Sequence, residues 1–292
     1  MNIRALFPAS LIAAFLTASA AFSAEPKTIN VSPDVPYKTG DRLDAYETQR
    51  CKLDVYAPAD ARDLPCMVWF HGGGLTGGGK ADDTTVAVCR AMANEGWVVA
   101  AVNYRLSPAA KYPAYVEDAA ASVAWMLKNA GKYGGNSKRV FVAGHSAGGY
   151  LAAMVTMDER YLAAQGAKPG ELAGVIPISG QMMTHYTIRE ERGLPKAQII
   201  VDDAAPIHFT REKTPPLLIL YAETDMTLRG EENRYFAAAL TAAGNRNVAL
   251  REIAGHDHGG IGDRIAEPDS PVRKLMAEFV KSVVSQKSFE TN

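Results

Sequence analysis

Short apolar runs alternate with segments of helical periodicity along most of the chain. The first run, residues 52–56, alternates apolar and polar side chains and predicts a half-buried strand. Later runs are mostly continuous in apolar residues, which is typical of strands covered on both faces of a parallel sheet. These later strands are predicted at residues 66–70, 97–102, 140–143, 175–178, 217–221 and 248–253.

Helices are predicted between these strands, at residues 82–95, 114–130, 147–158, 230–243 and 270–286. Strands that alternate with helices indicate an α/β fold, with a mostly parallel central sheet and helices on both faces. No linker or internal repeat divides residues 25–292, which are therefore expected to form one domain.

Two segments fit this alternation poorly. Residues 25–50 are a polar, proline-containing lead, and residues 181–213 show weak periodicity. A long irregular insert in a compact domain is usually functional. Residues 181–213 are therefore expected to form a short lid.

Composition narrows the function class. Hydrophobic residues make up 47% and charged residues 22% of the 292 residues, as in a soluble globular protein. The net charge of −1 gives no electrostatic basis for binding nucleic acid or an anionic membrane. The three cysteines, Cys51, Cys66 and Cys89, are too few for a disulfide scaffold and too far apart for a cysteine-based zinc site.

The first residues have the pattern of a secretory signal peptide. Arg4 precedes an apolar core at 11–16, and small residues follow at 18–21 and 23–24. The core is too short for a stable membrane span, which takes roughly 20 residues. Cleavage before residue 25 would leave an exported protein, periplasmic or secreted, without a membrane anchor. An uncut N-terminal anchor is the alternative.

A glycine-rich loop follows a predicted strand, and its chemistry can be interpreted in three ways. Residues 71–80 read HGGGLTGGGK. A dinucleotide site needs an acidic residue at the end of the next strand, but residues 103–105 read N-Y-R. A P-loop needs Ser or Thr after Lys80, where Ala81 stands. The third interpretation is an oxyanion hole, in which glycines let backbone N–H groups approach a developing negative oxygen.

A second motif favours the oxyanion hole. Residues 144–148 read GHSAG, and they lie between a predicted strand and a predicted helix. This context is that of a nucleophile elbow, a sharp turn that raises a serine hydroxyl above the sheet. Ser146 is therefore the candidate nucleophile, and the N-terminus of the following helix adds partial positive charge beside it.

A serine nucleophile needs a base and an orienting acid, which in this fold class follow in the order Ser, acid, His. Asp225 comes just after a predicted strand, with Glu223 as a nearby competitor. His258 follows the last strand and is preferred over His256. Residues 256–258 could also chelate a metal, but no second cluster supplies further ligands.

The chain offers two other histidines late in the sequence. His208 is expected to be a structural residue. His185 lies in the expected lid and is expected at the surface.

Together these features resemble an α/β-hydrolase esterase of the hormone-sensitive-lipase-like and feruloyl-esterase-like branch. The motifs that carry the resemblance are HGGG at 71–74, V-N-Y-R-L-S-P at 102–108, E-D at 117–118, GHSAGG at 144–149, and the late Asp225 and G-x-x-H at 255–258. The resemblance covers about residues 45–285 and implies the α/β-hydrolase fold. It also implies that the N–H groups of Gly73, Gly74 and Ala147 form the oxyanion hole.

The sequence departs from this family pattern in two places. Ala222 stands where a glycine is usual near the acid, and residues 25–50 are too short for a helical N-terminal cap. The family sheet order also places Cys51 and Cys66 on non-neighbouring strands, which argues against a disulfide between them.

The resulting hypothesis is an exported serine carboxylesterase that needs no cofactor and no metal. Ser146, Asp225 and His258 would cleave short-acyl or carbohydrate-linked esters. Substrate contacts are expected from Leu75, His145, Met182, Met183 and Tyr186. Two alternatives stay open: an amide or formamide hydrolase with the same triad, and a non-catalytic binding protein on a hydrolase scaffold.

Overall fold

Eight strands form a single sheet in the computed structural model of the chain, which describes residues 27–289. The strands are β1 (Ile29–Pro36), β2 (Lys52–Pro58), β3 (Leu64–Phe70), β4 (Val98–Val102), β5 (Gly135–His145), β6 (Gly174–Ile178), β7 (Leu217–Thr224) and β8 (Val248–Asp257). The expected signal peptide at 1–24 lies outside the described residues, so the signal peptide and export stay predictions.

The order of strands determines where loops converge. The sheet runs β1-β2-β4-β3-β5-β6-β7-β8. The pairs β1–β2 and β2–β4 are antiparallel, and every other neighbouring pair is parallel. The chain leaves β3 toward one edge of the sheet and leaves β5 toward the other. The carboxyl ends of β3 and β5 therefore flank a crevice, the place where open α/β sheets bind their ligands.

Helices cover both faces of the sheet, as the alternating pattern predicts. They are α1 (Ala45–Arg50), α2 (Asp83–Asn94), α3 (Ala114–Asn129), α4 (Ala147–Met157), α5 (Glu159–Ala164), α6 (Tyr186–Glu191), α7 (Arg229–Ala242), α8 (His258–Asp263) and α9 (Pro271–Phe289). One apolar core lies between the sheet and α3, α4 and α7, and the other lies between the sheet and α2, α8 and α9. The predicted α/β architecture is confirmed.

The polar lead is more ordered than the sequence pattern indicates. It contains β1, an edge strand that pairs with β2 and buries few side chains, so it lacks a clear alternating pattern. It also contains α1, where the Asp44 side chain accepts the N–H of Glu47 and the Glu47 side chain accepts the N–H of Asp44. This Asp-x-x-Glu capping box is visible in the sequence and could have located the helix.

The insert at 181–213 is not a detached lid. Residues 181–189 are almost entirely buried, and only 190–203 are mainly exposed. The Ile207 N–H donates to the Met182 carbonyl at 3.1 Å, which closes the insert on itself. The Tyr150 hydroxyl of α4 donates to the Ala204 carbonyl at 2.8 Å, which ties the insert to the helix that follows the nucleophile.

The three cysteines are buried and free. Cys66 lies in β3, whereas Cys51 precedes β2, and β4 lies between these two strands. The argument against a Cys51–Cys66 disulfide therefore holds. Within residues 27–289, no helix is both long and apolar enough to cross a membrane.

A buried ionic cluster joins the lead to the body of the domain. The fully buried Asp118 of α3 accepts two hydrogen bonds from the guanidinium of Arg105, at 2.8 and 2.9 Å, and one from Lys38 at 2.5 Å. Burial alone would lower the pKa of Arg105, but the bonds and charge of Asp118 outweigh it, and the pKa is raised. Glu47 of α1 completes the cluster through ion pairs with Lys38 and Arg105.

We expect Asp118→Asn to lower the free energy of unfolding by about 3 kcal/mol, because it leaves buried cations without their main partner. Urea unfolding would measure the change. Glu117→Gln is the matched control: this neighbour on α3 is half exposed, and its 3.8 Å pair with Arg105 should contribute less than about 1 kcal/mol. Equal stability of the two variants would contradict the assignment of Asp118.

Candidate active site

Ser146 occupies a strained turn between β5 and α4. Its φ of 56° lies in the left-handed region that non-glycine residues rarely adopt. The Ser146 N–H donates to the Ile178 carbonyl at the end of β6, at 2.9 Å, and this bond helps to hold the turn. Such strain persists only where the surroundings determine it, and it is typical of functional sites.

The glycines around Ser146 are required by close backbone contacts. A Cβ atom on Gly148 would lie 2.0 Å from the Phe70 carbonyl oxygen at the end of β3. A Cβ atom on Gly144 would lie 2.5 Å from the carbonyl carbon of Gly148. The first turn of α4 therefore packs directly on the end of β3, which brings Ser146 beside the glycine-rich loop.

The structure brings the three predicted triad residues together. The Nε2 atom of His258 lies 2.8 Å from the Oγ atom of Ser146, and its Nδ1 atom lies 2.6 Å from Oδ1 of Asp225. Ser146 follows β5, Asp225 follows β7 and His258 follows β8, so all three lie at the carboxyl edge of the sheet. This chain of hydrogen bonds can move a proton from the serine to the imidazole.

Asp225 is held as a carboxylate by several donors. Its Oδ2 atom accepts the Ser179 hydroxyl at 2.5 Å and the Ala222 N–H at 3.1 Å. Burial would raise the pKa of the Asp225 carboxyl, but the bonds from His258 and Ser179 outweigh it, and the pKa lies below its ordinary value. Because position 222 contributes its backbone N–H, alanine there keeps this contact in place of the usual glycine.

Two residues that support the acid were missed by the sequence analysis. Ser179 directly follows β6 and has a φ of 48°, a second left-handed residue beside the nucleophile turn. Arg229, at the start of α7, is buried and donates to the Ser179 carbonyl. The position of Ser179 just after a parallel strand was the one signal that could have identified it.

The competing candidates have other partners. Glu223 accepts the Gly255 N–H at 2.8 Å, which braces the histidine loop. His256 is half-buried, and its Nδ1 lies 2.9 Å from the Ala254 carbonyl. Asp257 caps α8 by accepting the Gly260 N–H at 2.7 Å, and His258 is the first residue of that helix. The three side chains at 256–258 thus have separate partners and do not converge on one point.

The peptide groups of the glycine-rich loop are oriented by their carbonyls. The Gly72 carbonyl lies 2.7 Å from Nδ1 of His71, and the Gly73 carbonyl accepts the N–H groups of Thr76 and Gly77 at 3.1 and 3.0 Å. In a trans peptide the N–H points opposite to the C=O. The N–H groups of Gly73 and Gly74 therefore point away from these partners, and neither donates to another acceptor within residues 27–289.

His71 is the anchor of this loop. Its ring is buried and stacks on Tyr104, with ring centroids 4.3 Å apart. Burial lowers the pKa of His71 to about 4, so the imidazole is neutral and its Nδ1–H can donate to the Gly72 carbonyl. The Tyr104 hydroxyl also donates to the His71 carbonyl, at 2.8 Å.

The expected substrate contacts need correction. Leu75 and Met182 are fully buried and Met183 is nearly so, which leaves their side chains almost no surface for a substrate. Leu75 has a φ of 64°, and this left-handed conformation lets its side chain enter the core. His145 supports the triad: its Nε2 lies 2.7 Å from the His258 carbonyl, and its ring packs against Gly262.

Tyr186, another residue expected to contact the substrate, stays partly exposed. The position of its neighbour His185 differs from the prediction, because this side chain is buried between the rings of Tyr150 and Tyr186. Burial lowers the pKa of His185 well below its ordinary value. His208 was expected to be structural, and its side chain is exposed on a short 3-10 helix.

Comparisons with known proteins agree with this geometry. The model of the BD-FAE family matches residues 53–171, which include the glycine-rich loop and the nucleophile elbow. An esterase from Pyrobaculum calidifontis superposes with a TM-score of 0.63 at 28% identity, covering 81% of each chain. The chain has the α/β-hydrolase fold. The resemblance to the esterases of this fold is confirmed.

Two further comparisons agree with this fold. Esterase LipQ of Mycobacterium tuberculosis is 28% identical over 247 residues, which is 77% of this chain but 56% of the relative. A truncated carbohydrate esterase from gut microbiota superposes with a TM-score of 0.71 at 18% identity, over 90% of this chain and 99% of its own. The chain thus spans just over half the length of LipQ.

We expect His258→Ala to abolish ester hydrolysis and His256→Ala to keep at least half of the wild-type kcat, because only His258 reaches both Ser146 and Asp225. Steady-state rates on p-nitrophenyl acetate would measure both variants. An active His258→Ala together with an inactive His256→Ala would reverse the assignment of the base.

Proposed function

We propose that the protein is a serine carboxylesterase. The observation that carries the proposal is the unbroken hydrogen-bond chain Ser146–His258–Asp225 beside two unpartnered loop amides. The esterases named among its relatives support the same reaction class. The chain spans only 56% of the length of LipQ, so the esterase activity is proposed mainly on the geometry of the active site.

The geometry supports a two-step acyl transfer. Ser146 Oγ attacks the ester carbonyl while its proton passes to Nε2 of His258, 2.8 Å away. The ionised Asp225 fixes the tautomer of the imidazole and stabilises the imidazolium that forms. His258 then gives the proton to the leaving alcohol. A water activated by His258 finally releases the acid and restores the serine.

The negative oxygen of the tetrahedral intermediate would lie between backbone donors. The N–H groups of Gly73 and Gly74 point into the crevice, and Ala147 is the first residue of α4, where the N–H lacks an intrahelical partner. Each such donor contributes roughly 3–4 kcal/mol to the transition state in comparable sites. Because these groups belong to the backbone of a packed loop and helix, they need little rearrangement during the reaction.

The substrates proposed are esters with short acyl groups, including acetylated carbohydrates. The lead forms β1 and α1 and does not build a helical cap. The exposed part of the insert, residues 190–203, is rich in charged side chains, and its two exposed large apolar side chains, Ile199 and Val201, are too few to line a long alkyl chain. The fold likeness to a carbohydrate esterase is compatible with sugar esters but does not by itself identify the alcohol.

Amide hydrolysis by the same triad is the rival within the enzyme class. It differs only in the leaving group that His258 must protonate. Relative kcat/KM values on matched ester and anilide substrates separate the two. A higher kcat/KM on the anilide than on the ester would favour an amidase.

We expect Ser146→Ala to lower kcat by about a million-fold while the protein stays folded, because the triad acts as one unit. Covalent labelling by a fluorophosphonate, followed by intact-mass spectrometry, should modify the wild type and not the variant. Ser282→Ala, an exposed serine on α9, is the matched control and should label normally. Retention of more than a hundredth of the wild-type rate by Ser146→Ala would refute the nucleophile. A wild type that neither labels nor turns over would favour a binding protein.

We expect kcat/KM to be highest for acetyl and butyryl esters and to fall toward twelve carbons. A true alkyl groove would add about 0.8 kcal/mol of binding for each buried methylene. p-Nitrophenyl esters of two to twelve carbons measure the trend, and acetyl-xylan should be included as a carbohydrate ester. A maximum at ten or twelve carbons would show that the insert forms a lipid groove.

A further inference from the structure

The phenol of Tyr186 lies against the glycine-rich loop. A Cβ atom placed on Gly74 would lie only 2.1 Å from the Tyr186 hydroxyl oxygen. The hydroxyl therefore fills the space that a side chain at position 74 would need, next to the amide that faces the crevice. Tyr186 begins α6, so this contact comes from the insert and not from the glycine-rich loop itself.

The next residue fixes α6 on the same loop. The Thr187 hydroxyl donates to the Gly74 carbonyl at 2.5 Å, and both groups are buried. Thr187 thus bonds the carbonyl of Gly74, and the Tyr186 hydroxyl lies against the Cα of the same residue. Two adjacent residues of the insert dock on one glycine of the predicted oxyanion hole.

The Tyr186 hydroxyl has a free hydrogen to donate. Other tyrosines near the site use theirs: Tyr104 donates to the His71 carbonyl and Tyr150 to the Ala204 carbonyl. No acceptor for the Tyr186 hydroxyl occurs among the side chains and carbonyls of the described region. Since the side chain is half exposed, the hydroxyl is available to a group that enters the crevice.

The ring of Tyr186 packs closely against two neighbouring side chains. The buried His185 ring lies 4.4 Å from it, centroid to centroid, and the Lys196 ammonium lies 4.3 Å from its centroid on a cation–π contact. Restraint of this kind lets a hydroxyl act as a preorganised donor, because little entropy is lost when it bonds a substrate atom.

We propose that the Tyr186 hydroxyl donates a side-chain hydrogen bond to the oxyanion, beside the N–H groups of Gly73 and Gly74. This assignment rests on the proposed esterase function. A glycine at 74 is then needed for more than its left-handed φ of 65°, since any side chain would displace the phenol from the loop. The hydroxyl keeps its proton throughout, donates more strongly as negative charge develops on the carbonyl oxygen, and forms no covalent bond.

Tyr186→Phe tests the proposal, with Tyr112→Phe as the matched control. The Tyr112 hydroxyl donates to the Asp203 carbonyl, outside the crevice. On p-nitrophenyl acetate, at a temperature where both variants are folded by circular dichroism, Tyr186→Phe should lower kcat about 100-fold and leave KM within about twofold of wild type. Tyr112→Phe should keep the wild-type kcat.

A transition-state analogue gives a readout that a structural role would not change. A trifluoromethyl ketone forms a tetrahedral adduct with the serine, and its affinity should fall for Tyr186→Phe by a factor similar to that in kcat. Unchanged kcat and unchanged analogue affinity would overturn the proposal. A higher KM with unchanged kcat would also overturn it, because the phenol would then contact only the bound ester. A wild type without esterase activity would refute the proposed function instead.

Discussion

The approach of helix α4 to the end of strand β3 is the constraint on which the site depends. The backbone of Gly148 lies so close to the Phe70 carbonyl that no side chain fits between them. This contact places the nucleophile turn directly beside the loop that continues from β3. It also leaves Ser146 in a left-handed conformation, which the Ile178 carbonyl at the end of β6 helps to maintain. One packing contact thus positions both Ser146 and the glycine-rich loop.

The remaining groups reach this point because parallel strands present their carboxyl ends at one edge. Strands β5, β6, β7 and β8 are neighbours, and the loops after them carry the nucleophile, a supporting serine, the acid and the base. The sheet brings these four loops close together, so their side chains need not be long to contact one another. The insert also reaches this point through α6, where the Thr187 hydroxyl bonds the Gly74 carbonyl of the glycine-rich loop.

Short sequence motifs predicted the site residues whose positions depend on the strand or helix next to them. Ser146 was identifiable from its glycines and from the strand and helix around it, and Asp225 and His258 from their places after strands. Thr187 and Gly74 are 113 residues apart, so their hydrogen bond leaves no trace in any short window. Leu75 shows the opposite error: it adjoins the motif in sequence, yet its left-handed backbone lets the side chain enter the core.

The buried histidines around the site affect its electrostatic field in acid. Burial lowers the pKa of both His71 and His145 to about 4. Neither imidazole gains a proton in mildly acidic surroundings, so no positive charge develops on the rings beside the glycine-rich loop and beside the backbone of His258. The imidazole that lies against the Gly72 carbonyl and the one that contacts the His258 carbonyl therefore keep the same charge across this range.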